Sequence, residues 1–176
     1  MTFFLKNLRL VFLLFILALV LIPGKIFSQD FLTCNVDGDE YKGKIEEAAQ
    51  VKIGDEHFIQ VKSTQGDHIL YLYIKLSKVN DNLPITLNHK DHDAEKGEMP
   101  DAEIVWVPDG PDSPQWNTVD GNLTVTQFNT ANKTISGTFE FKAEKHVYGS
   151  KAKKERPSVE LKSGKFESLH YKVEEK

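Results

Sequence analysis

One cysteine in 176 residues cannot form an intramolecular disulfide, which excludes a disulfide-stapled secreted miniprotein and every CxxC redox or zinc motif. Basic charge is also scarce. Lys+Arg 22 against Asp+Glu 26 gives a formal net charge of -4, the wrong sign for a nucleic-acid binder. Amphipathic helical spacing is almost missing after residue 29, so helix bundles and βαβ folds are excluded. There is no glycine-rich phosphate loop and no Ser/His/Asp order of a hydrolase, and no cofactor is expected. What the chain does have, 40% hydrophobic and 10% aromatic residues, is enough for a packed core and too much for a disordered polymer.

Acidic residues are missing altogether from the first 28 positions. Lys6 and Arg9 precede Leu10 to Ile22, an unbroken apolar run of 13 residues, and Pro23-Gly24 stops it. A charged start, a short apolar run and a polar end make a secretory signal peptide; a spanning helix needs about 20 apolar residues. The expected division is a signal peptide over 1–28, cut after Ser28, and a single all-β domain over 29–176, with no membrane span after cleavage. Removing Lys6, Arg9 and Lys25 leaves 19 basic against 26 acidic side chains, so the domain carries a net charge of -7. Cys34 raises the alternative of a lipid-anchored protein, but Leu32-Thr33 stands where small residues are wanted. The reading preferred is a small apolar side chain buried on a strand.

From residue 31 onward, short β-rich runs recur between turn dipeptides with a period of two. Phe31–Val36 ends at Asp37-Gly38, and a short strand is expected around Ala48–Ile53 within a polar stretch. His57–Lys62 and His68–Leu76 flank a hairpin at Gln65-Gly66-Asp67. His68–Leu76 is largely apolar on both faces, as a central strand is. Ser77 to Asp101 reads as an exposed excursion with a brief strand at Pro84–Leu87. Ala102–Val107 follows, then a hairpin predicted at Val119-Asp120-Gly121, a turn at Asn129–Lys133, and Thr134–Ala143 with Ile135, Gly137, Phe139, Phe141 and Ala143 on the core face. Val159 to Val173 closes the domain, bent or bulged at Ser163-Gly164. The pattern predicts an antiparallel β-sandwich of about nine or ten strands, with a β-barrel as the alternative.

Three side-chain groups could carry function. Tyr71, Tyr73, Trp106 and Trp116 could stack on sugar rings or fill a partner's groove if a sheet face displays them. His89, Asp91, His92 and Asp93 offer imidazole and carboxylate ligands to a divalent cation, although their spacing matches neither a zinc signature nor an EF-hand. Asp109, Asp112, Asp120 and Glu140 are carboxylates that a glycoside hydrolase could pair, but Asp is also a common turn residue.

Gly121-Asn122-Leu123-Thr124-Val125-Thr126, then Ile135-Ser136-Gly137-Thr138-Phe139-Glu140-Phe141, then Gly164-Lys165-Phe166, follow the order "G-x-L-T-I-T, I-S-G-T-F-x-F, G-x-F". In this the chain resembles a family of small exported β-proteins of Bacteroidetes, many of them lipoproteins, and Leu32-Thr33-Cys34-Asn35-Val36-Asp37-Gly38 resembles their opening strand. The resemblance implies an exported protein of the periplasm or cell exterior and supplies no catalytic residues. The function expected is that of a non-enzymatic binding or accessory module of the cell envelope, with a protein or glycan partner. A carbohydrate-related enzyme or a small-ligand pocket protein is the alternative.

Overall fold

The computed structural model describes residues 31–90, 97–146 and 156–173. The signal peptide expected over 1–28 lies outside them. Ten strands follow one another: β1 (Phe31–Val36), β2 (Asp39–Ile53), β3 (Glu56–Gln65), β4 (His68–Lys75), β5 (Ile85–Asn88), β6 (Ala102–Val107), β7 (Trp116–Asn129), β8 (Thr134–Lys145), β9 (Ser158–His170) and β10 (Lys172–Val173). A 3-10 turn, Leu76–Lys78, follows β4.

The sheet is closed. Its order is β1-β9-β8-β7-β6-β4-β3-β2, and β1 also pairs with β2, so eight antiparallel strands form a barrel. This corrects the sandwich favoured by the sequence pattern in favour of the alternative. The physical reason is that β1 uses both edges: Leu32 faces Gly43 of β2 and Phe166 of β9. A sandwich would leave one of those edges unpaired or covered by a loop.

Two strands lie outside the ring and complete long neighbours. The β6–β7 ladder holds only Val105↔Asn117 and Trp106↔Trp116, and β5 takes the far part of the same β7 edge through Ile85↔Val125 to Asn88↔Asn122. In the same way β1 covers Asp39 to Lys44 of β2, and β10 pairs in parallel with Ala49 and Gln50 farther along.

Eight strands enclose a space that side chains can just fill. Leu32, Cys34, Tyr41, Ile59, Val61, Leu70, Leu72, Ile74, Ile104, Leu123, Phe139, Phe141, Leu161 and Phe166 belong to one buried cluster drawn from every strand of the ring. The β8 alternation expected from the sequence holds, with Ile135, Gly137, Phe139, Phe141 and Ala143 all buried. Bulky rings fit because small residues lie beneath them: a Cβ at Gly164 would stand 2.4 Å from the Phe139 ring. Leu76, Val79, Leu83 and Ile85 of the 76–88 excursion pack on this core, so that stretch is anchored by apolar side chains.

Two expected details change. β2 is one strand of 15 residues, not a short one at Ala48–Ile53; a bulge between Ile45 and Glu47 switches the inward residues from Tyr41 and Gly43 to Ala48. The hairpin placed at Val119-Asp120-Gly121 does not exist. β7 runs on through it, with a register shift between Thr118 and Asp120 and Gly121 at φ +130, where a Cβ would stand 2.3 Å from the Glu140 carbonyl oxygen. The chain reverses earlier, between β6 and β7, where the Gly110 N–H donates to the Asp67 carbonyl and the Ser113 N–H to the Gly110 carbonyl.

Candidate functional site

Because Leu70, Leu72 and Ile74 of β4 point into the barrel, the pleat sends Tyr71 and Tyr73 outward. Cross-strand pairing sets their neighbours. Tyr71 stands between Lys62 of β3 and Val105 of β6; Tyr73 stands between Gln60 and Glu103. Both rings are half-buried. Gln60 Nε2 donates to the Tyr73 hydroxyl at 2.9 Å, which fixes that ring, and burial raises the Tyr73 pKa despite the hydrogen bond.

This outer face has different ends. Toward the β3–β4 hairpin the next row is Thr64, Ile69 and Val107, the last two buried. At the other end Lys75, 6% exposed, lies 3.3 Å from Glu56 and 3.8 Å from Asp101, and Lys78 reaches Asp101 at 3.4 Å. The Ser77 hydroxyl donates to Glu56; that bond and the lysines hold the Glu56 carboxyl below its ordinary range. Two tyrosines framed by an apolar row, the Gln60 amide and an ion cluster present stacking surface and hydrogen-bonding edges side by side.

Trp106 and Trp116 are not on this face. They oppose each other across β6 and β7, and Trp106 also opposes the inward-facing Leu70. Trp106 is 6% exposed, with Tyr41 edge-on at 5.3 Å and His68 stacked at 5.4 Å. The Tyr41 hydroxyl shares a 3.0 Å hydrogen bond with Ser63, and His68 Nδ1 bonds to the Pro108 carbonyl. Trp116 is partly buried against the core. The four-ring platform expected from the sequence is therefore divided: the tyrosines face out, and the tryptophans pack inside one end of the barrel.

Of the residues expected to hold a cation, His89 directly follows β5, with its N–H donating to the Gly121 carbonyl. Asp91, His92 and Asp93 lie outside the described residues. Among the described residues no group of three or more His, Cys, Asp or Glu side chains is arranged to hold a metal. Asp120 is exposed and ion-paired with Lys90 at 2.9 Å, and Lys90 holds its carboxyl below the ordinary range.

Two concavities were not anticipated. One of about 560 Å³ is lined by Asp112, Ser113, Pro114, Gln115, Asn117 and His146 beside the β6–β7 connection. The other, of about 290 Å³, lies on the outer surface of β7, β8 and β9 and is lined by Thr126, Gln127, Ser136, Thr138, Lys165 and Glu167, among others. It forms where bulges on both neighbours of β8 fall at one level. The register of β7 shifts between Val125 and Gln127, and that of β8 with β9 shifts between Ile135 and Gly137, beside Ser168 at φ 46. The Ser163-Gly164 bulge was legible in the sequence; these two, without a glycine at the extra residue, were not.

Comparison of the chain with family models, with curated proteins and with solved structures finds no match in any of the three.

Proposed function

We propose that the chain is an exported, non-enzymatic binding or accessory module of the cell envelope, related to the small exported β-proteins of Bacteroidetes that it resembles. It acts in the periplasm or at the cell exterior. The observation that carries this reading is the outer face of β3, β4 and β6, where Tyr71 and Tyr73 stand half-buried between Lys62, Gln60, Val105 and Glu103. Aromatic rings held on a rigid sheet lose little conformational freedom on binding and dominate the energetics of many interfaces. The basic, acid-free leader ahead of a domain with a net charge of -7 supports export.

The barrel interior supports the same reading over a lipocalin-like carrier, because Phe139, Phe166, Leu72 and Ile104 fill the space a carried ligand would need. Recognition then falls to the outer surface. Sedimentation of the 29–176 chain with envelope fragments of the producing cell tests this. The wild type co-sediments saturably, and a Tyr71→Ser, Tyr73→Ser variant that keeps its fold loses at least about tenfold in affinity. Equal binding by both proteins, or no binding by either, refutes the proposal.

A further inference from the structure

We infer that the cleft across β7, β8 and β9 is a binding site for a single sugar ring. Its floor is Ser136, 7% exposed, on the strand between the two bulges. The Ser136 hydroxyl accepts the Ser168 N–H at 2.9 Å and donates to Gln127 Oε1 at 3.4 Å. It thus ties the floor to both walls and keeps a second lone pair. Around it stand the Thr126 and Thr138 hydroxyls, the Gln127 amide and the Lys165–Glu167 ion pair, whose charged atoms are 2.7 Å apart.

The chemistry of this lining selects the ligand class. Hydroxyls, an amide and a matched ion pair supply donors and acceptors in mixed order, and the formal charges of Lys165 and Glu167 cancel. A phosphate or carboxylate would meet Glu167 as well as Lys165. An apolar ligand would strand the polar lining without partners. A neutral ring carrying several hydroxyls answers each group, since every hydroxyl both donates and accepts. The volume of about 290 Å³ is at the lower edge of small-molecule sites, which suits one ring and not an oligosaccharide.

The cleft also gathers segments far apart in the chain. Thr126 ends the Gly121–Thr126 segment, Ser136, Gly137 and Thr138 belong to the second, and Lys165 and Phe166 to the third, the same three stretches that stand out in the sequence. The site is separate from the Tyr71–Tyr73 face and does not require it. The ring it takes is a free sugar or the end unit of a chain.

Amide-resolved NMR of the 29–176 chain, titrated with glucose, galactose, mannose and N-acetylglucosamine, each free and as its methyl glycoside, tests the assignment. At least one sugar is expected to give saturable shifts with a dissociation constant on the order of 1 mM, confined to Thr126–Gln127, Ser136–Thr138 and Lys165–Ser168. Binding of methyl glycosides identifies a chain end as the ligand; binding of free sugars alone identifies the monosaccharide. Thr138→Leu and, separately, Gln127→Leu, both at exposed positions, should weaken the response about tenfold, and Tyr71→Ser, Tyr73→Ser should leave it unchanged. No saturable shift up to about 50 mM, a response to phosphate or acetate only, or shifts indifferent to both leucine variants would overturn the inference.

Discussion

Thr118 and Ile104 are joined by two hydrogen bonds through one hydroxyl: Thr118 Oγ1 accepts the Ile104 N–H and donates to the Ile104 carbonyl, both at 2.8 Å. The β6–β7 ladder ends one residue earlier, at Val105↔Asn117, and the bulge that follows Thr118 carries β7 away from β6. A side chain therefore does the work of the next ladder pair and keeps the barrel shut where β7 turns toward β5. Thr118→Val keeps the volume and strands both backbone groups in a buried place. It is expected to cost about 2–3 kcal/mol in urea denaturation, whereas Thr118→Ser, which keeps the hydroxyl, should cost about 1 kcal/mol or less.

Cys34 and Tyr41 face each other across β1 and β2 inside the barrel, and burial pushes the thiol from 9.0 to about 12 and the phenol from 10.0 to about 12. Both groups are neutral when protonated. Above pH 9 the unfolded chain releases the thiol proton while the native chain keeps it, so stability is intact below pH 9 and falls as pH rises toward 12. The slope should be about 1.4 kcal/mol per pH unit from Cys34, and steeper above pH 10 as Tyr41 joins. Denaturation midpoints from pH 8 to 11 check this, and Cys34→Ala should flatten the first part. In the native protein at pH 8 the thiol should also resist maleimide.

Lys75 and Asp101 form a buried pair next to Glu56 and Lys78. Asp101→Ala leaves the Lys75 ammonium with Glu56 alone and is expected to cost about 3 kcal/mol; Lys75→Met with Asp101→Leu removes both charges and should cost less than the single change. Thermal or urea unfolding of the three proteins measures the difference.

Gly164 and Phe139 pair across β8 and β9, with the ring lying where a Cβ would be. Gly164→Ala should destabilise by about 1–3 kcal/mol through overpacking. Adding Phe139→Leu, a smaller side chain, should recover part of that loss in a double-mutant cycle.

What the sequence revealed depended on how far each feature was a matter of local pattern. β4 was legible because Ile69 to Ile74 is largely apolar on both faces, and β8 because its alternation from Ile135 to Ala143 is unbroken by a bulge of its own. β2 was not, since its bulge at Glu46 changes the inward set partway along a polar strand. Asp-Gly is a turn dipeptide, but here the positive φ of Gly121 serves a close approach of β7 to the Glu140 carbonyl within a continuous strand. Closure itself is a property of pairing: nothing in Phe31–Val36 says that both its edges are used. The candidate site follows the same division. Tyr71 and Tyr73 share a face by spacing alone, but the inward placement of Trp106 required its register with Leu70.

The central claim, that the Tyr71–Tyr73 face is where this protein meets its envelope partner, is tested most directly by oxidative footprinting of the 29–176 chain with and without saturating envelope fragments. Tyr71 and Tyr73 should be protected severalfold on binding, while Trp116, at the barrel end, keeps its rate. Protection at Trp116 with Tyr71 and Tyr73 oxidised at the same rate in both samples would contradict it.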